Sequence, residues 1–229
     1  MTPATVFAAT ATILLVFNVV RALGVFGDRA DAAAVAVLVA LVALAAVARM
    51  GAADLGLARA DLGAGAAWGA AAFALVAVVV GAGALLPATS GLFEDARANI
   101  SASALAFEIV VGIFIATVLP EEFAFRGLLL GAGVLAWGKR TALLATSALF
   151  GLWHISPTLS TMSDNAATAD TASSPAGSVA LVAGSVALTF VAGMVFGWLR
   201  LRSKSLLAPV LAHLATNGVA LTVAWLLLQ

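Results

Sequence analysis

The sequence predicts an all-α, polytopic membrane helix bundle of about seven to eight transmembrane helices. Composition supplies the first reason: 63% of the 229 residues are hydrophobic and only 10% are charged. A soluble domain carries about 25% charged residues. The mean hydropathy, +1.14, agrees. The second reason is spacing. Apolar segments recur along the whole chain at lengths near the roughly 20 residues that a helix needs to cross a bilayer.

The segments lie at 4–20, 32–48, 65–86, 102–119, 120–138, 141–154, 178–199 and 205–228. The N-terminal stretch MTPATVFAAT has no Lys or Arg before its apolar run, so it reads as a first span and not as a cleaved signal peptide. The next two segments, VAVLVALVALAAV and AAWGAAAFALVAVVVGAGALL, are rich in Ala, Gly and Val. Small residues let helix backbones approach closely in lipid. Between them, MGAADLGLARADLG is a short polar connector suited to an interfacial helix. Segments 102–119 and 120–138 meet at Pro120. They form either two spans joined by a tight turn or one long, Pro-bent helix that protrudes. The segment between His154 and Ser178 is a low-complexity Ser/Thr/Ala/Asp stretch and is expected to be mobile.

Basic residues orient such a bundle. Lys139 and Arg140 form one short basic loop, and Arg200, Arg202 and Lys204 form another. Both are expected on the cytoplasmic side, with loop 155–177 outside. Eight spans would add Arg21, Arg29 and Arg97 to the inner side and leave Arg49 and Arg59 outside. Seven spans would reverse those two sets.

Net charge is zero, which gives nucleic acid no electrostatic footprint to bind. The chain has no cysteine. That excludes disulfides, iron–sulfur clusters and thiolate zinc sites.

Against this apolar background, VLPEEFAFRG stands out, with Glu121, Glu122 and Arg126 inside six residues. Each charge at mid-membrane costs about 2.5–3.5 kcal/mol. Glu122 and Arg126 are four residues apart and share a helix face, so they can neutralise each other. Glu121 points about 100° away and has no local partner. The only two histidines, His154 and His213, also lie in apolar segments; Phe150 precedes the first by one turn, and Asn217 follows the second. Polar groups in lipid must find one another or a water-filled cavity. Counted from the basic loops, all of them sit at depths of about 13 to 27 Å at 1.5 Å per residue. A shielded carboxylate can deprotonate a water, a histidine can hold that water or shuttle its proton, and a histidine with an amide can stabilise an oxyanion. Amide hydrolysis needs that set.

Glu121-Glu122-xxx-Arg126, Phe150-xxx-His154 and His213-xxx-Asn217 resemble, in order and context, the three motifs of the CAAX-protease and bacteriocin-processing intramembrane proteases, the type II CAAX prenyl endopeptidases. The resemblance covers about residues 102–228. It implies an intramembrane endopeptidase in one membrane domain, 1–229, with N-terminal spans in 1–101 and the catalytic core in 102–229. It implies Glu121 as the base, assisted by His154, with His213 and Asn217 as the oxyanion hole. Glu122 and Arg126 would be the structural pair, with Phe150 packed beside His154. No cofactor is expected; the alternative is zinc on Glu121, His154 and His213. The expected substrate is a peptide or a lipid-modified protein, met among membrane lipids. Ala-rich spans and the Asp/Thr/Ala-rich loop suit a high-GC prokaryote, hence a prokaryotic cell membrane.

Other features carry less. GVLAWGKRT, from Gly133, imitates a phosphate loop, but Arg140 stands where Ser or Thr is required. Glu108 reads as a snorkelling or locally paired acid. A non-catalytic immunity or partner-stabilising protein on the same scaffold is the rival reading. A proton-coupled transporter would show paired, interrupted half-helices, and the sequence has none.

Overall fold

The computed structural model describes the backbone of residues 1–229 and the side chains of all but 166 and 167. Its described residues are helical throughout, apart from turns and one isolated bridge between Asp95 and Asn165. Among the described residues, seven helices are long and apolar enough to cross a membrane: Pro3–Ala22, Gly27–Val47, Ala52–Leu85, Ala102–Trp137, Lys139–Thr161, Pro175–Ser203 and Leu207–Leu227. They are spans 1 to 7. The chain is an integral, multi-pass membrane protein.

Side chains cap the entries to three spans. The Thr5 amide donates to Thr2 Oγ1, that of Ala104 to Ser101 Oγ and that of Gly177 to Ser174 Oγ, at 3.1–3.2 Å. Pro3 and Pro175 follow two of these caps, at a first-turn position that needs no amide. Gly138, at φ +82°, makes the sharp turn between spans 4 and 5. Lys204 ends span 6 in the left-handed conformation.

Of the two alternatives at Pro120, the continuous helix is the one formed. Span 4 runs 36 residues. At 1.5 Å per residue that is about 54 Å, well beyond the roughly 30 Å hydrocarbon layer. Glu108–Val118 and Phe123–Leu129 are wound as π-helix, with one α-turn, Leu119–Glu122, between them. The amide of Leu119 donates to the carbonyl of Phe114, five residues back. This wider register relieves Pro120, which has no amide to give and whose ring crowds the carbonyl four residues back in a regular helix.

Span 4 is also the axis of the bundle. Residues 120 through 133 are buried without interruption, while the other spans present much of their surface outward. A helix apolar and buried all round is one enclosed by its neighbours. Small residues bring those neighbours close. A Cβ on Gly69 of span 3 would lie 2.7 Å from Leu211 Cδ1 and 3.2 Å from Ala208 Cα of span 7.

The stretch after His154 is more ordered than its composition suggests. Span 5 continues as Ile155–Thr161, and a short helix, Ala166–Ala172, follows. The Ala96 amide donates to the Asp164 carbonyl at 3.1 Å, and Asn165 Nδ2 to the Leu92 carbonyl at 2.8 Å. These bonds dock it on the connection between spans 3 and 4.

Candidate active site

Four spans bring the polar residues together. Span 4 contributes Glu121, Glu122 and Arg126, span 5 contributes Phe150, Trp153 and His154, and span 7 contributes His213 and Asn217. Span 1 stands behind them with Phe17 and Asn18.

Glu122 is fully buried, and its Oε1 accepts from Arg126 Nη1 at 2.8 Å. The i, i+4 pair expected from the spacing is therefore present. The same oxygen also lies 2.8 Å from His213 Nδ1. A carboxylate only accepts, so Nδ1 carries the hydrogen and Glu122 fixes the tautomer of His213. Helical spacing on span 4 carries no trace of this third partner, 91 residues away. The Arg126 guanidinium also sits over aromatic rings, 4.0 Å from the Phe150 centroid and 5.1 Å from that of Phe196. The negative ring faces favour a cation that has left water.

Glu121 is held differently. Its Oε1 accepts from Trp153 Nε1 at 2.9 Å. Its Oε2 is buried without a hydrogen-bond partner and lies 4.0 Å from His213 Nε2. On the other side of His213, Asn217 Nδ2 is 3.4 Å from Nε2. One ring nitrogen thus stands between the glutamate and the amide. A π-helical turn, Ala215–Val219, sets Asn217 in span 7. Such turns cluster at functional sites.

His154 closes the regular part of span 5, at φ −80° and ψ −2°. Its Nδ1 is 2.8 Å from the Phe150 carbonyl, which again makes Nδ1 the protonated nitrogen and leaves Nε2 with its lone pair. Phe150 packs edge-on to both histidines, 4.6 Å from the His154 centroid and 6.0 Å from that of His213. No hydrogen bond joins His154 to Glu121 among the described residues.

A small cavity reaches Glu121 between spans 1, 2, 4 and 5. Leu14, Phe17, Ala34, Pro120 and Trp153 line it, with Arg21 at one side. Its volume, about 20 Å³ as traced by water centres, compares with the roughly 10–15 Å³ that one water requires. Glu121, His154 and His213, the alternative zinc set, do not converge: no group of three or more potential donors able to hold a metal ion is present among the described residues.

Spacing missed two contributors. Trp153, beside His154 in sequence, is expected to line the cavity and does, but its bond to Glu121 spans 32 residues and no local spacing shows it. Asn18 went unremarked, although an amide inside the apolar run ILLVFNVV is itself a signal.

The fold and the site define a polytopic membrane protein that gathers carboxylate, histidine and amide groups inside the bilayer. Residues 100–219, just over half of the chain, match the model of the type II CAAX prenyl endopeptidase Rce1-like family. The chain belongs to that family, a family of membrane proteases. No curated protein and no solved structure matches it.

Proposed function

We propose that this protein is an intramembrane endopeptidase that hydrolyses peptide bonds with a water activated by Glu121. The observation that carries the reading is the unpaired, buried Oε2 of Glu121, 4.0 Å from His213 Nε2, in a residue that also lines a cavity with room for one water. A buried acceptor left unpaired costs about 1–3 kcal/mol, so such a position calls for a ligand.

In this mechanism Oε2 takes a proton from the water as its oxygen adds to the peptide carbonyl carbon. The carbonyl π pair moves onto oxygen. Asn217 Nδ2–H donates to that oxyanion, with His213, held by Glu122, as its partner in the oxyanion hole. Collapse of the intermediate breaks the C–N bond, and the proton held by Glu121 passes to the leaving amine. His154, with Nε2 unprotonated, assists in holding and deprotonating the water. Catalytic hydrogen bonds often tighten only when substrate is bound, so its lack of a direct bond to Glu121 does not argue against this role. The substrate class is a peptide segment reached within the membrane, including segments near a lipid-modified C-terminus.

The test uses purified protein and a panel of prenylated and unmodified peptides, with Glu121→Gln and His154→Ala beside the parent. Cleavage by the parent that is abolished in Glu121→Gln is expected. Cleavage that survives both substitutions overturns the mechanism. Activity lost to a chelator and restored by zinc replaces it with the metal version. A parent that cleaves nothing while stabilising a partner protein favours the non-catalytic reading.

A further inference from the structure

Trp153 makes three contacts that together point at Glu121. Its indole N–H donates to Glu121 Oε1 at 2.9 Å. Its ring lies nearly parallel to that of Phe17, at 16° and 5.9 Å between centroids. Its main-chain carbonyl accepts from Asn18 Nδ2 at 2.9 Å.

The last contact has a specific cause. In a continuing α-helix the carbonyl of residue 153 would accept the amide of residue 157. Residue 157 is proline, which has no amide hydrogen. The carbonyl is thereby orphaned inside the membrane, where an unsatisfied backbone group is costly. Asn18, 135 residues away on span 1, supplies the missing donor. One bond then ties the turn that carries Trp153 to span 1, and Phe17, one residue earlier, packs on its ring.

Glu121 is made asymmetric as a result. The indole holds Oε1, and Oε2 is the oxygen left without a partner. A carboxylate free to rotate would exchange the two. We infer that Trp153 is a positioning residue for Glu121, held in place by Asn18 and Phe17, so that span 1 forms part of the catalytic apparatus. Residues 17 and 18 lie outside the matched segment 100–219, so this support is a property of the chain beyond that match. The inference rests on Glu121 being the base.

The decisive variant replaces Trp153 with 3-benzothienylalanine, which keeps the shape of the ring and carries sulfur where indole carries N–H. Loosening a positioned catalytic group costs up to about 100-fold in rate. The expected result is a kcat lower by about 10- to 100-fold with KM within about threefold, in a variant that still folds. A tryptophan that merely fills space would leave kcat alone.

A second arm tests the tether. Asn18→Leu should lower kcat, and adding Pro157→Ala, which returns an amide to the orphaned carbonyl, should recover part of it. A third arm reads the contact without turnover: the Trp153 indole ¹⁵N–¹H resonance should move in Glu121→Gln. An unmoved resonance overturns the contact. A benzothienyl variant as active as the parent, beside an inactive Glu121→Gln, overturns the positioning role and leaves the base assignment standing. A Glu121→Gln variant as active as the parent overturns both.

Discussion

Replacing Glu122 by Gln should damage stability and activity by separable routes. Glu122 is fully buried, and its Oε1 takes hydrogen bonds from Arg126 and His213, each at 2.8 Å. The amide retains the shape of the carboxylate and loses its charge. Arg126, 2% exposed, is then a cation with no counter-ion in contact. Breaking one partner of a buried pair costs about 3–5 kcal/mol. The rings of Phe150 and Phe196 remain and offset a fraction of that, at about 2 kcal/mol for a desolvated cation–π contact. A net loss of about 1–3 kcal/mol follows from these two figures. At about 2–4 °C per kcal/mol for a chain of this size, the melting temperature should fall by about 2–12 °C.

The double variant Glu122→Gln/Arg126→Met should regain most of that loss, because no uncompensated cation is then left at position 126. It should not regain activity. His213 Nδ1 has then lost its carboxylate acceptor, and a charged hydrogen bond of about 1.5–3 kcal/mol corresponds to roughly 10- to 150-fold in rate. Thermal unfolding in detergent and peptide cleavage, measured on both variants, separate the two effects. A double variant no more stable than Glu122→Gln would refute the uncompensated-charge argument. A stable double variant with parental activity would refute the role of Glu122 in orienting His213.

Other outcomes follow from single contacts. Gly56 stands at φ +76°, and a Cβ there would collide with the Arg200 guanidinium. Gly56→Ala should push Arg200 from the Ala53 and Asp54 carbonyls that it holds at 3.1 and 2.8 Å, lowering stability by about 1–3 kcal/mol. Gly184→Ala, in a helix interior and with its Cβ in open space, is the control and should not lower the melting temperature. Chelation should leave peptide cleavage intact, because Glu121, His154 and His213 form no three-donor group among the described residues; the check is cleavage after dialysis against EDTA. In the connection between spans 3 and 4, the hydrogen bond from Arg97 holds the Asp95 carboxyl below its ordinary value of 3.8. A depressed folded value means that the pairing stabilises above the unfolded value and is lost as pH falls through the folded one. Proteolytic protection of residues 94–99 should therefore hold from neutral pH to about 4 and decline below it. In Asp95→Asn that dependence should disappear.

Much of the site was legible before folding was considered. Glu122 and Arg126 pair across one helical turn, and local spacing reveals any such contact. The register of His213 and Asn217 was equally visible, being set within a single helix. The seven-span count was not, because Pro120 usually interrupts a helix and only the π-helical register around it lets span 4 continue. The docking of the stretch after His154 was not legible either. Its low-complexity composition carries no signal for the docking of Asp164 and Asn165 on residues 92–96.

Composition and the lengths of the apolar runs were sufficient for the membrane bundle, since each span must satisfy its own backbone in lipid and so declares itself locally. The order and spacing of three motifs were sufficient for the protease family. Which polar groups meet across different spans was decided by packing alone. His213 to Glu122, Trp153 to Glu121 and Asn18 to Trp153 join residues 91, 32 and 135 positions apart. Such bonds form because buried donors and acceptors in lipid have no water to turn to, and no periodicity along the chain records which of them will meet.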